Sequence, residues 1–410
     1  MKFFYNFAVF FASILLPLIA VFSKKIKLFV DGRKNTFSKI GALKNEKTIW
    51  FHTASLGEFE QARPIIEELK KKYKHYKILV TFFSPSGYEV RKHYNLADVV
   101  CYLPLDSKKN AKRFVKALNP TLAIFIKYEF WPNLLKELKN KEIKTILVSG
   151  ILRKNQLFFK SYGRFMRRTL ESFHHFFVQD ESSRELLNSI NFTNVTVAGD
   201  TRFDRVLEIL ERDNSLDFIN EFKENRYTIV AGSTWKEDEE LLIHYINNEA
   251  TKDEKFIIAP HNIKNDAILS LKKAINKKII LYSEREGKNL SDNQVFIIDT
   301  IGILTKVYAV ADIAYVGGGL KTGLHNILEP ATFGIPVVIG NQYDKFKEAV
   351  DLVKIGGCIS IHNQQEFTEN FKALKEDENF RKLTGVINKK YIEHHLGATK
   401  LVMNYLKTQL

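Results

Sequence analysis

The chain alternates short, almost continuously apolar runs with helical stretches, and it does so in two series. In the first, the runs fall at 48–54 (TIWFHTA), 77–83 (KILVTFF), 98–103, 121–127 (TLAIFIK), 144–149, 174–179 and 194–198. In the second they fall at 227–232 (YTIVAG), 256–260, 278–282, 295–299, 312–317 and 336–339. Strands without apolar–polar alternation are buried on both faces, and intervening helices supply the crossovers. The pattern therefore predicts parallel α/β sheets. Between the series lies a polar stretch, 206–226 (VLEILERDNSLDFINEFKENR), expected as a linker. The expected organisation is two Rossmann-like domains facing a central cleft, one over 26–205 and one over 227–410. The last helix is free to pack back on the first domain. A chain of 410 residues is long enough for both cores. In such sheets ligands bind beyond the carboxyl ends of the strands.

Charge divides the same way. The net charge is +15, but residues 1–200 hold 34 Lys and Arg against 17 Asp and Glu, while residues 201–410 hold 28 against 30. The whole excess lies in the first half, which points to an anionic partner there. No basic–aromatic motif accompanies it, so nucleic acid is not the expected partner. Two cysteines, Cys101 and Cys358, make no disulfide scaffold and suit a reducing compartment. Residues 3–22 (FFYNFAVFFASILLPLIAVF) carry no charge and, as a helix, span roughly 30 Å, about one bilayer core. Lys24, Lys25 and Lys27 follow, which places the remaining chain on the cytoplasmic side. A signal peptide fits poorly, because no A-x-A pattern follows and the basic flank is on the wrong side; a buried core helix is the other rival. Asn6, Ser13 and Pro17 interrupt the run, so a spanning helix and one lying in a single leaflet both stay open. Residues 1–25 are expected to form a membrane anchor.

Four strand-end loops carry candidate chemistry. In Ser55-Leu56-Gly57-Glu58, Gly57 permits a tight turn and Glu58 falls in the first turn of a helix over 58–73. Glu58 either complements the helix dipole or takes a proton from a substrate hydroxyl. In Lys127-Tyr128-Glu129-Phe130-Trp131-Pro132-Asn133, Glu129 is placed to bond sugar hydroxyls or support a base, and Trp131 is a candidate core residue. In Gly199-Asp200-Thr201-Arg202-Phe203-Asp204, Arg202 offers a planar fork to phosphate or carboxylate, or pairs with Asp200 or Asp204. The run Gly317-Gly318-Gly319 lets backbone approach a phosphate, and Glu329 can accept from both ribose hydroxyls. Neither the P-loop pattern nor GxGxxG is present, and no GxSxG elbow or HExxH spacing occurs. No metal site and no cofactor are expected.

Taken together, WFHTASLGEFEQARPII, EFWPNLL, GDTRFD, AGSTWKEDEE, DTIGILTKVYAVADIAYVGGG and HNILEPATFGIPVVIG resemble, in order, the 3-deoxy-D-manno-octulosonic acid (Kdo) transferases. These are membrane-associated GT-B glycosyltransferases of Gram-negative lipopolysaccharide synthesis. The resemblance implies Glu58 as general base, with Glu129 and Arg202 helping to stabilise the transition state. It implies a CMP site at Pro260 and His261, at Ile301, Gly302 and Ile303, and at Asn326, Ile327, Leu328 and Glu329. It further implies a CMP-Kdo donor, a phosphorylated lipid A precursor of the lipid IVA type as acceptor, and metal-independent inversion. The implied location is the cytoplasmic face of an anionic inner membrane. The rival is another membrane GT-B enzyme using a UDP-sugar. The sequence departs from the family at His261 (Arg), Arg202 (Lys), Lys127 (Glu) and Ile327 (Pro).

Overall fold

A computed structural model describes all residues, Met1–Leu410. Two α/β units result, one formed by Met1–Asp204 with Leu396–Leu410, the other by Arg205–His395. The first holds seven parallel strands: β1 (Thr48–Thr53), β2 (Lys77–Phe82), β3 (Val99–Tyr102), β4 (Leu122–Ile126), β5 (Lys144–Gly150), β6 (His175–Val178) and β7 (Val195–Val197). Their order is β3-β2-β1-β4-β5-β6-β7. The chain leaves β1 to one side for β2 and returns on the other side as β4, so the crevice at the carboxyl end of β1 is the switch point. β1 and β4 are buried at every residue, which is why their sequences lack alternation.

The second unit repeats the plan with β8 (Tyr227–Thr234), β9 (Glu254–Pro260), β10 (Ile279–Leu281), β11 (Val295–Ile297), β12 (Ile313–Val316), β13 (Val337–Gly340) and β14 (Cys358–Ile361). Their order, β10-β11-β9-β8-β12-β13-β14, reverses at β8. β14 has no counterpart among the runs read from sequence. Only four residues long, it lies at the sheet edge with its two central residues part-exposed.

Three other expectations change. The polar stretch 206–226 is no free linker. Much of it lies in the helices Arg202–Leu210 and Asp217–Lys223, and Ile219 and Phe222 are fully buried beside Val230, Ile257 and Phe296. The helix expected over 58–73 is Leu56–Lys72, so Gly57 is a helical residue and makes no tight turn. Instead Ser55 caps the helix, and its N–H donates to Glu58 Oε2 at 2.9 Å.

The N-terminal helix, Lys2–Ile19, belongs to the first unit. None of its residues is buried, and Phe3, Phe4, Phe10 and Leu18 are more than half exposed. Yet Tyr5 Oη donates to Asp106 at 2.7 Å, and Asn133 Nδ2 donates to Asn6 at 3.0 Å. Near its other end, Ser13, Leu16 and Pro17 line a cavity of about 270 Å³ with Phe29, Phe37 and Leu105. The helix thus touches the unit at both ends and leaves an apolar face uncovered.

The C-terminal helix, Ala398–Lys407, inserts Val402, Met403 and Leu406 beside Ile65, Ile66 and Leu69. Asp204 fixes its start by accepting from the N–H groups of Gly397 and Thr399, at 2.5 and 2.6 Å. Leu406 is fully buried in the first unit although it lies at the chain's end. Leu406→Ala is expected to destabilise that unit by about 2–4 kcal/mol, read as a lower urea midpoint by tryptophan fluorescence. A shift below about 0.5 kcal/mol, the scale of neutral surface changes, would show the helix to be dispensable.

Candidate active site

The first unit gathers polar side chains at the carboxyl ends of β1, β2 and β4. His52, fully buried near the end of β1, faces Thr81 Oγ1 through Nδ1 at 2.9 Å and Glu129 Oε2 through Nε2 at 3.3 Å. Trp131 Nε1–H is shared between His52 Nε2 and Glu129 Oε2, 2.9 Å from each. Two proton arrangements satisfy this cluster. A neutral ring accepts from Trp131 at Nε2, whereas an imidazolium donates to Glu129 and leaves the indole N–H to the carboxylate. Lys127, with φ +67°, turns the chain sharply after β4, leaving Tyr128 part-exposed and Glu129 buried. The indole of Trp131 packs on Phe83 with ring centroids 4.6 Å apart, so it also serves the packing role open to it in the sequence.

Glu58 lies in the same group and is 4% exposed. Burial, and then the Glu129 carboxylate, push its pKa up, against the opposing pull of the Ser55 and Ala54 N–H groups and His52. The helix-capping reading and a chemical role are therefore compatible, because one carboxylate both caps and sits desolvated beside a second. Arg202 takes the ion pair foreseen for it. Its backbone N–H and side chain make contacts of 2.8–3.0 Å to Asp200, which Gln61 Nε2 also reaches at 2.9 Å. Burial pushes Asp200 up, but the guanidinium more than offsets this and holds it below the usual carboxylate range. Gln61 is one turn from Glu58, so the pair braces the helix that carries the candidate base.

In the second unit the expected nucleotide residues lie at the end of β9 and in the segments that follow β11 and β12. Pro260 closes β9 and His261 follows it, its ring stacked on Trp235 at 4.4 Å. His325 lies 4.7 Å from His261 and accepts from Trp235 Nε1 at 3.1 Å. Burial, then His261, push His325 down to about 4; burial also lowers His261. Both rings are neutral near pH 7, and His325 carries its proton on Nδ1. Glu329 accepts from Thr305 Oγ1 at 2.5 Å and from Asn326 Nδ2 at 3.0 Å, one donor per oxygen. Ile301 is 82% exposed, Gly302 has φ +97°, and Ile303 is part-buried; Ile327 and Leu328 are core residues.

The glycine run is arranged differently from a phosphate cradle. Gly317 N–H donates to Gly232 at 3.0 Å and Gly318 N–H to Asp238 Oδ2 at 2.9 Å, so both amides are engaged within the fold. Side chains would also collide with neighbouring backbone. A Cβ on Gly317 would lie 2.5 Å from the Ser233 carbonyl, and one on Gly319 2.9 Å from Gly340 N. These glycines permit close packing of strand ends. Asp238 is the organiser, accepting from Tyr315 Oη at 2.6 Å and from the N–H groups of Trp235 and Gly318 at 2.9 Å.

Sequence reading passed over His52, Thr81, Asp106, Thr305 and Asp238. Asp106 does in the first unit what Asp238 does in the second. It accepts from Tyr5 Oη at 2.7 Å and from the N–H groups of Asn133 and Leu134 at 2.9 and 2.8 Å, fixing the helix Pro132–Asn140 that follows the Glu129 loop.

Two parallel seven-stranded α/β units, with polar clusters at the switch point of each sheet, define the GT-B fold class. Residues 31–205 match the family described as 3-deoxy-D-manno-octulosonic-acid transferase (kdotransferase). A 3-deoxy-D-manno-octulosonic acid transferase of Aquifex aeolicus is 30% identical over 376 residues, 87% of this chain and 96% of that protein. A bifunctional glycosyltransferase/methyltransferase of Fusobacterium nucleatum is 29% identical over 97% of this chain, which spans 64% of that protein's length. Among solved structures, a UDP-GlcNAc 2-epimerase from Neisseria meningitidis bound to UDP-GlcNAc shares the fold. Its TM-score is 0.62 at 15% identity, covering 88% of this chain and all of that one. The chain belongs to the Kdo transferase family and is a glycosyltransferase.

Burial outweighs the three donors to Asp106 and pushes its pKa up to about 6. The unfolded value is about 3.9, so the native state binds this proton more tightly. Its contribution to stability therefore rises as pH falls from about 6 to about 4, by on the order of 2–3 kcal/mol. Asp106→Asn removes that slope. Urea midpoints of wild type and variant between pH 7 and 4 are expected to diverge in favour of wild type on acidification; a constant difference contradicts the assignment.

Proposed function

We propose that this chain transfers Kdo from CMP-Kdo to a phosphorylated lipid A precursor, with inversion, at the cytoplasmic face of the inner membrane. The observation that carries the reading is the buried Glu58 beside Glu129 at the switch point of the first sheet. A desolvated glutamate whose pKa is raised is a better proton acceptor than one in water, because its conjugate acid is weaker. Glu58 takes the proton of the acceptor hydroxyl as its oxygen bonds to the anomeric carbon of Kdo. The bond from that carbon to the CMP phosphate oxygen breaks with its electron pair. Attack opposite the leaving group inverts the centre.

Glu129, held by Trp131 and facing His52, keeps negative charge beside Glu58 and can accept from the acceptor's hydroxyls. Arg202 acts chiefly through Asp200 and Gln61, as a brace for the helix bearing the base. On the donor side, Trp235 and His261 offer a stacked aromatic pair to the base, and Glu329 keeps lone pairs for the ribose hydroxyls. The uncovered apolar face of Lys2–Ile19 favours a helix lying along the membrane surface, since both its ends contact the first unit.

The test is incubation with CMP-Kdo and a lipid A precursor, followed by mass measurement of the product. Transfer from UDP-sugars but not from CMP-Kdo would overturn the donor assignment. Glu58→Gln is expected to lower turnover by about 10²–10⁴-fold while leaving CMP binding intact; near-wild-type turnover excludes it as the base. Removing the like charge in Glu129→Gln lowers the pKa of Glu58, so the acid limb of the rate profile should move to lower pH. Movement to higher pH contradicts the coupling.

A further inference from the structure

A cavity of about 320 Å³ opens where the start of the N-terminal helix meets the helices Pro132–Asn140 and Arg164–Leu170. Lys2, Lys136, Lys139 and Arg168 line it. Its only carboxylate, Glu171, is taken by Lys139 at 2.9 Å. No carboxylate pairs with Lys2, Lys136 or Arg168, and the Lys2 ammonium lies close enough to those of Lys136 and Lys108 to be repelled by them. Lys139 near the end of Pro132–Asn140 and Arg168 in the last turn of Arg164–Leu170 complement their helices' dipoles, but this does not account for Lys2, which stands at a helix start. Alongside, Phe3, Phe4 and Phe7 are 74%, 71% and 50% exposed.

Unpaired cations around a ligand-sized cavity, at the start of a helix that exposes phenylalanines, match a molecule with an anionic head and hydrocarbon tails. We infer that this cavity binds the phosphate headgroup of an anionic membrane phospholipid, with Lys2, Lys136 and Arg168 on the phosphate and the acyl chains along Phe3 and Phe7. The inference rests on the reading that the N-terminal helix lies in a membrane. It adds to the general attraction of a basic surface one built site, which fixes the depth and orientation of the first unit.

The experiment is co-sedimentation of the full chain with two kinds of vesicle, phosphatidylcholine alone and phosphatidylcholine with about a third phosphatidylglycerol. Each membrane-facing cation contributes about fivefold in affinity. Lys136→Ala/Arg168→Ala should therefore weaken binding to the anionic vesicles by about 25-fold and leave binding to the neutral ones unchanged. Lys44→Ala/Lys116→Ala removes the same charge from residues around a different cavity of the unit and should change anionic binding by less than about threefold. Equal losses in the two double variants would replace the site by diffuse attraction. Loss of the anionic preference on adding inorganic phosphate at constant ionic strength would make the cavity a free-anion site and overturn the lipid assignment. Failure of the wild type to bind either vesicle would overturn the membrane reading itself. Matching thermal midpoints of wild type and variants exclude misfolding as the cause.

Discussion

Each unit turns on a buried aspartate that accepts one tyrosine hydroxyl and two backbone N–H groups. Asp106 gathers Tyr5, Asn133 and Leu134; Asp238 gathers Tyr315, Trp235 and Gly318. Burying a carboxylate costs several kcal/mol unless its lone pairs are met, and at these two aspartates three donors converge. That requirement fixes a loop at a strand's carboxyl end against the start of a helix, which is where a parallel sheet binds ligands. Glu129, three residues before the helical turn held by Asp106, and His325, seven residues beyond the glycine amide held by Asp238, depend on these anchors for position. In both cases burial still raises the aspartate's pKa despite its donors. The two sites are thus held by groups that are themselves under electrostatic tension.

Much of this was legible in the residues because burial on both faces leaves a simple mark. Thirteen of the fourteen strands coincide with apolar runs, and the exception, CISI at 358–361, is short and part-exposed. The stretch 206–226 misleads for the opposite reason. Ile219 and Phe222 bury a narrow stripe in an otherwise polar segment, too sparse to read as a helix face. Glu58 stood out because a carboxylate follows directly on a strand-end turn. Asp238 did not, because in WKEDEE it looks like one charge among solvated ones, and only its contacts to Tyr315 and Gly318 distinguish it. His52 is hidden within a strand, and Asp106 within an unremarkable loop. Glycine is the most ambiguous residue of all. Gly317, Gly318 and Gly319 fit either close ligand approach or close backbone packing, and the first two amides are engaged within the fold.

Charge distribution separates partners in the same way. The excess of cations in the first half could have been spread evenly, and such a surface would attract any polyanion. Several cations of the first unit are instead neutralised by neighbours, as Arg202 by Asp200 and Lys70 by Asp98. Cations left without a carboxylate include those beside the N-terminal helix, where exposed phenylalanines adjoin them. Arg33 is an instructive case. Its guanidinium donates through two nitrogens to the carbonyls of Phe29 and Phe83 and lies 3.4 Å from the centre of the Phe29 ring, so it meets dipoles and a π-face rather than an acid. Burial pulls its pKa down to about 9, still high enough to keep it charged near neutrality.

The N-terminal helix is therefore more than a tether. Its apolar face is left uncovered, but Tyr5 and Asn6 point the other way, onto Asp106 and Asn133. Those two residues set the start of Pro132–Asn140, and Trp131 immediately before it bonds both His52 and Glu129. A single chain of hydrogen bonds and covalent neighbours runs from the helix to the carboxylate beside the candidate base. Displacing the helix would leave a buried aspartate short of one donor and an asparagine amide short of one acceptor, and such deficits cost about 1–3 kcal/mol each. Seating of the helix and order in the loop that holds Glu129 are consequently linked, so the position of the carboxylate beside the candidate base depends on a helix at the far end of that chain of contacts.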